Sequence, residues 1–203
     1  MRLNCAAPGC LRHRRKRGRY CARHARRLNR YASPEGRPIP AATLVSHAVA
    51  VRRLFEAHPD HPGVKMAIAE VAALLSSAVA AASRDADPLP ETKHLARLAA
   101  ADVEPVNILA MVCAVGLAAR DDRGSALGPK GMRFAAARAV CGLLPLRGIK
   151  LGSRALDAVG ELVWDRFVPF VATVVDHFDK KAAEQRRRTA ALTTPFTIHR
   201  GGS

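Results

Sequence analysis

The chain of 203 residues carries 33 Lys and Arg against 17 Asp and Glu, a net charge of +16, with 49% hydrophobic residues, 4% aromatic residues and five cysteines. An odd cysteine count without an apolar export segment at the N-terminus argues against a disulfide framework. The apolar runs at 106–119 and 168–175 are too short to cross a bilayer, so a membrane protein is not expected either.

The first element is a cysteine cluster, Cys5-x4-Cys10-x10-Cys21-x2-His24. Two short-spaced pairs joined by a loop allow a small segment to wrap one tetrahedral ion, and three thiolates with an imidazole are the ligands that zinc takes. Burial as core cysteines is the competing reading, but Arg, Pro and Gly surround these positions and nothing apolar is at hand to bury them. One structural zinc ion held by Cys5, Cys10, Cys21 and His24 is therefore expected. His13 also stands at a chelating spacing from Cys10 and competes with His24 for the fourth position. Cys113 and Cys141 lie in apolar helical stretches and read as small core residues.

Between the two ligand pairs the loop is almost entirely cationic, with Arg12, Arg14, Arg15, Lys16, Arg17 and Arg19. After it, Tyr20 to Tyr31 reads as a short helix. At 100° per residue, Cys21, His24, Leu28 and Tyr31 share an arc of roughly 80°, and Arg23, Arg26, Arg27 and Arg30 fall opposite. Like charges on one helical face cost a few tenths of a kcal/mol per adjacent pair, a cost that an anionic partner removes. The charge is also placed: residues 1–40 hold twelve Lys or Arg and one acid (Glu35), residues 41–179 hold fifteen of each sign, and residues 180–203 hold six basic residues and one acid (Glu184). The loop and ridge arginines, with Lys16, are thus the expected nucleic-acid contacts.

The runs Cys5-Ala-Ala-Pro-Gly-Cys10, Arg17-Gly-Arg-Tyr-Cys21-Ala-Arg-His24, Arg26-Arg27 and Arg30-Tyr31, with an exit at Pro34-Glu-Gly36, resemble a small zinc module of phage, mobile-element and bacterial proteins. Its pattern is C-x-x-x-G-C, R-G-x-C-x-x-H, R-x-x-R, and it sometimes accompanies an HNH nuclease. The resemblance covers about residues 1–36 and departs from the pattern by one extra residue before Cys21. It implies nucleic-acid contact, with Cys5, Cys10, Cys21 and His24 at the ligand positions. After residue 40 Asn107 is the one asparagine, so no His-Asn-His constellation can be assembled and the nuclease is not expected.

Residues 33–40, with Pro34, Gly36, Pro38 and Pro40, form a linker. From Ala41 to residue 179 the chain is rich in Ala, Leu and Val, and an all-α domain is predicted. Leu44, Ala48, Val51 and Phe55 make one stripe, ended by His58-Pro-Asp-His-Pro62. Val64, Ile68, Val71, Leu75 and Val79 make the next, ended by the loop at 85–90. Helices are expected around 91–101, 104–119 and 130–144. A longer one is capped by Ser153 and carries Leu156, Val159, Val163, Phe167, Phe170, Val174 and Phe178, with a kink at Pro169. About 140 residues in six helices suffice for a core that folds without metal. The basic segment 180–203 is expected to be a flexible tail.

No GxxxxGK, GxGxxG or GxSxG motif occurs, Asp85, Asp87, Asp121 and Asp122 read as loop acids that belong to no catalytic motif, and His58 and His61 read as part of a helix stop. The segment 143–153 is too long for the turn of a helix-turn-helix. The expected protein is non-catalytic and zinc-dependent. It binds nucleic acid, DNA ahead of RNA, as an accessory or regulatory factor, and its helical domain associates with itself or a protein partner. It is expected in the cytoplasm, on the nucleoid when DNA-bound. The rival from another class is an adaptor whose basic module and tail dock an acidic protein.

Overall fold

A computed structural model describes residues 3–15, 17–122, 127–144 and 151–193. Lys16, parts of the loops at 121–129 and 143–153, and residues 194–203 lie outside them. The described residues are all-α apart from one antiparallel bridge between Asn4 and His13. The helices are α1 (Ala22–Tyr31), α2 (Ala41–Ala57), α3 (Pro62–Arg84), α4 (Pro90–Ala100), α5 (Pro105–Asp121), α6 (Pro129–Cys141), α7 (Ser153–Gly160) and α8 (Arg166–Thr193), with a π-helical segment, Glu161–Asp165, between α7 and α8.

Prolines set this register. Pro62, Pro90, Pro105 and Pro129 each occupy the first position of a helix, where the missing N–H would have no intrahelical partner and the fixed φ is already helical. The His58–Pro62 segment thus ends α2 and also starts α3. Ser153 is the first residue of α7 and Gly152 its cap, so the serine does not cap as expected.

The core is built around α5, in which Ile108, Leu109 and Ala110, then Val112 to Ala118, are all buried. A helix apolar on every side belongs at the centre of a bundle, and α5 packs against α2, α3, α6 and α8. Gly116 permits the close approach of α8, since a Cβ there would stand 2.4 Å from Val171 Cγ1. Of the predicted stripes, Val51, Phe55, Val64, Val71, Leu75, Val159, Val163, Phe167 and Val174 are buried in this one core. α3 is long and apolar enough to cross a membrane by length and composition, and it packs on α4, α5 and α8.

α8 runs through Pro169, the residue at which a kink was expected, and a π-helical segment lies just before it. Asp165, its last residue, is the one whose carbonyl Pro169 cannot serve. The segment brings Trp164 into the core beside Val163. It follows Gly160, where a Cβ would lie 2.5 Å from the Arg133 carbonyl oxygen.

The segment expected to be a flexible tail enters α8, which continues to Thr193. Asp176 with Lys180 and Glu184 with Arg188 form ion pairs one turn apart, the spacing that supports an exposed helix.

His94 on α4 is 2% exposed, and neither ring nitrogen has a hydrogen-bond partner. Burial first, and the charge of Arg97 second, hold its pKa below the usual histidine value.

Candidate metal centre and basic surface

Residues 3–15 and 17–20 form a small hairpin-like knuckle. The Cys5 N–H donates to the Arg12 carbonyl at 2.8 Å, Arg14 N–H to Leu3 at 3.0 Å, Ala6 N–H to Arg19 at 2.9 Å and Arg15 N–H to Tyr20 at 3.2 Å. Gly9 turns the chain between the first two ligands with φ of 67°, a conformation that glycine adopts without steric cost. Backbone pairing therefore folds the Cys5–Cys10 turn over the start of α1, where Cys21 is the residue before the first turn.

Cys5, Cys10, Cys21 and His24 converge, with one ligand atom from each lying within 4.8 Å of all the others. His24 Nδ1 is 3.3 Å from Cys5 Sγ and 3.6 Å from Cys21 Sγ. A tetrahedral ion with metal–sulfur distances of about 2.3 Å and a metal–nitrogen distance of about 2.1 Å separates sulfur from nitrogen by about 3.6 Å, so the group fits a metal ion of that geometry. The nitrogen turned to the thiols is Nδ1. Cys5 and Cys21 are buried, and Cys10 and His24 are half-buried. His13 lies outside the cluster, exposed on the bridge with Asn4, and the histidine grouped with the three cysteines is His24.

The surroundings favour thiolate chemistry unequally. The His24 backbone N–H foremost, and that of Arg23 after it, hold the Cys21 thiol below its ordinary range against burial. At Cys10 the Arg12 backbone N–H is the largest influence and lowers the pKa. Burial and the thiols of Cys5 and Cys21 outweigh it together and leave the group raised. The Cys21 N–H donates to Cys5 Sγ at 3.2 Å, a bond that further steadies charge on that sulfur. Cys113 and Cys141 behave as core residues: burial raises both thiols, Cys141 to about 12.

The expected nucleic-acid contacts are divided. Arg12, Arg15, Arg17, Arg19, Arg23, Arg26 and Arg30 are exposed, Arg14 and Arg27 are half-buried, and Lys16 is outside the described residues. Arg14 donates to the Gly18 carbonyl at 3.1 Å, which fixes the loop on itself. Arg30 stacks over Phe134 at 5.7 Å. Among the described residues the ion pairs lie on α2 to α8 and in the π-helical segment and loops between them, and none involves the knuckle or α1. The structure brings Arg12 of the loop beside the α1 ridge, where Arg12, Arg23, Arg26, Arg27 and Arg30 line a hollow of about 410 Å³. It adds Arg138 of α6, which the sequence reading missed because nothing local marks it.

Arg138 reaches this place because α1 is docked on α6. Tyr31, 5% exposed, meets the Phe134 ring edge-on at 5.6 Å. The linker folds back as well: a Cβ at Gly36 would lie 2.4 Å from Tyr31 Cβ.

No family model, curated protein or solved structure matches this chain.

Proposed function

We propose that this protein is a non-catalytic, zinc-dependent nucleic-acid-binding protein, an accessory or regulatory factor of the kind that phages and mobile elements use. The Cys3His centre is structural, and the arginines of the knuckle and α1 hold the phosphate backbone. The observation that carries this reading is the hollow in which Arg12, Arg23, Arg26, Arg27, Arg30 and Arg138 converge with no carboxylate among its lining residues. Six guanidinium groups left unneutralised repel one another, and a polyanion relieves that repulsion while releasing its own counterions. Arginine suits the task because its planar fork takes two phosphate oxygens at once. Zinc is favoured as the ion because three thiolates and one imidazole in a closed tetrahedron are its usual structural set.

In this reading the metal supplies no reaction. It joins Cys5 and Cys10, at the base of the basic loop, to Cys21 and His24, at the start of α1, and so holds loop and ridge side by side. Exchanging Arg23 and Arg27 for Ala should weaken binding about equally for all sequences, because phosphate contacts carry no base information. The slope of log K against log salt should fall in magnitude by about 1.8, since each phosphate contact contributes about 0.9. Anisotropy titrations of duplex and single-stranded DNA and RNA at several salt concentrations measure this. An unchanged slope, together with capture of an acidic polypeptide by the same arginines, would instead favour the adaptor reading.

A further inference from the structure

Not all of the helical unit's cations are neutralised. Arg52, Lys65, Lys93, Arg120, Arg133 and Arg166 form ion pairs. Lys130 and Arg154 are exposed and take part in none among the described residues. These two meet Arg26 and Arg30 of α1 around a second hollow of about 400 Å³, with Asp157 the acid on its lining. Four cations against one carboxylate leave it strongly positive.

The two hollows share Arg26 and Arg30 and separate on the helical wheel. At 100° per residue, Asn29 falls on one flank of the ridge and lines the second hollow, while Arg27 and Tyr31 fall on the other and line the first. The α1 ridge therefore stands between two basic depressions, one walled by Arg138 and the other by Lys130 and Arg154. Lys130 is the second residue of α6 and Arg154 the second of α7, and neither helix has an acid in its first turn or a side-chain cap. Both thus turn a positive dipole end toward this second hollow, where Asp157 of α7 is the one acid on the lining.

We infer that the helical unit is part of the nucleic-acid interface, with Lys130 and Arg154 forming a second phosphate-binding site on the flank of α1 opposite Arg27. This rests on the nucleic-acid reading above and extends its footprint from the zinc module to α6 and α7. The helical unit then both anchors α1 through Tyr31 and Phe134 and grips phosphate beside it.

The test compares the metal-loaded full chain with Lys130→Ala/Arg154→Ala, with Arg23→Ala/Arg27→Ala, and with a control pair, Arg53→Ala/Arg97→Ala. The control residues are also exposed and without an ion pair among the described residues, but they lie on α2 and α4. Binding to a short duplex of mixed sequence is followed over a range of salt, and circular dichroism checks that each variant melts like the parent. The Lys130/Arg154 pair should lower the salt slope by about 1.8 and the affinity at 0.1 M salt by tenfold or more, and the control pair should leave both within error. If the Lys130/Arg154 pair behaves like the control while the Arg23/Arg27 pair still lowers the slope, the second site is overturned and the zinc-module reading stands. If neither pair alters the slope, both fall.

Discussion

Replacing Cys21 by Ser should release the metal and unfold the knuckle while the helical unit continues to melt as one cooperative unit. The knuckle has almost nothing else to hold it. Its apolar cluster consists of Cys5, Ala7 and Cys21, with Cys10 and Tyr20 packed beside them, so three of the five residues belong to the proposed metal site itself. Structural zinc in small fingers contributes on the order of 10 kcal/mol, far more than so small a cluster can bury. The core of α2 to α8 shares no residue with it. Metal analysis should therefore find one zinc per parent chain and none in the variant. Hydrogen exchange should show amide protection lost from Asn4 to Tyr20 and retained in α5. A variant that keeps stoichiometric metal would refute the ligand assignment.

The second large effect is expected at His94, far from the metal. Buried without a partner on either nitrogen, it is held neutral in the folded chain, its pKa lowered by burial first and by Arg97 second. The unfolded chain takes up a proton near pH 6.5, so between that value and the lower folded pKa the unfolded state binds more protons. Stability should be flat above about pH 6.5 and fall as the pH drops below it. His94→Leu removes both the unsatisfied polar atoms and the proton linkage. It should raise stability at neutral pH by about 1 to 3 kcal/mol, the usual cost of a buried unsatisfied group, and widen that gain toward pH 5. Denaturant melts of parent and variant at pH 5, 6 and 7 measure the difference. A gap that narrows as the pH falls would contradict this account.

What could be read from the sequence was local. The ligand set is legible because Cys10 to Cys21 closes one loop and Cys21 to His24 lies within one helical turn. The helices are legible from stripes such as Leu44, Ala48, Val51 and Phe55, which repeat at helical spacing over several turns. Prolines were half-read: each marks a break, but only the residues after it tell whether it ends a helix or, like Pro105, begins one. The π-helical segment is hidden because Val159, Val163 and Phe167 keep ordinary helical spacing across it. The helix through Lys180 was readable from the Asp176–Lys180 and Glu184–Arg188 spacings, which a count of net charge conceals. Arg138, Lys130 and Arg154 were beyond reach: their place beside α1 depends on Tyr31 docking against Phe134, a contact between residues about a hundred positions apart that no local pattern encodes.

Whether a metal holds the basic loop and α1 in one phosphate-binding surface is decided by a salt titration of duplex binding, run on the metal-loaded chain and on the same chain after chelation. The metal-loaded protein should show log K falling linearly with log salt, with a slope equivalent to several phosphate contacts at about 0.9 each. Stripping the metal should reduce both affinity and slope, because the charges remain but are no longer held together. Identical affinity and slope with and without metal would contradict the account.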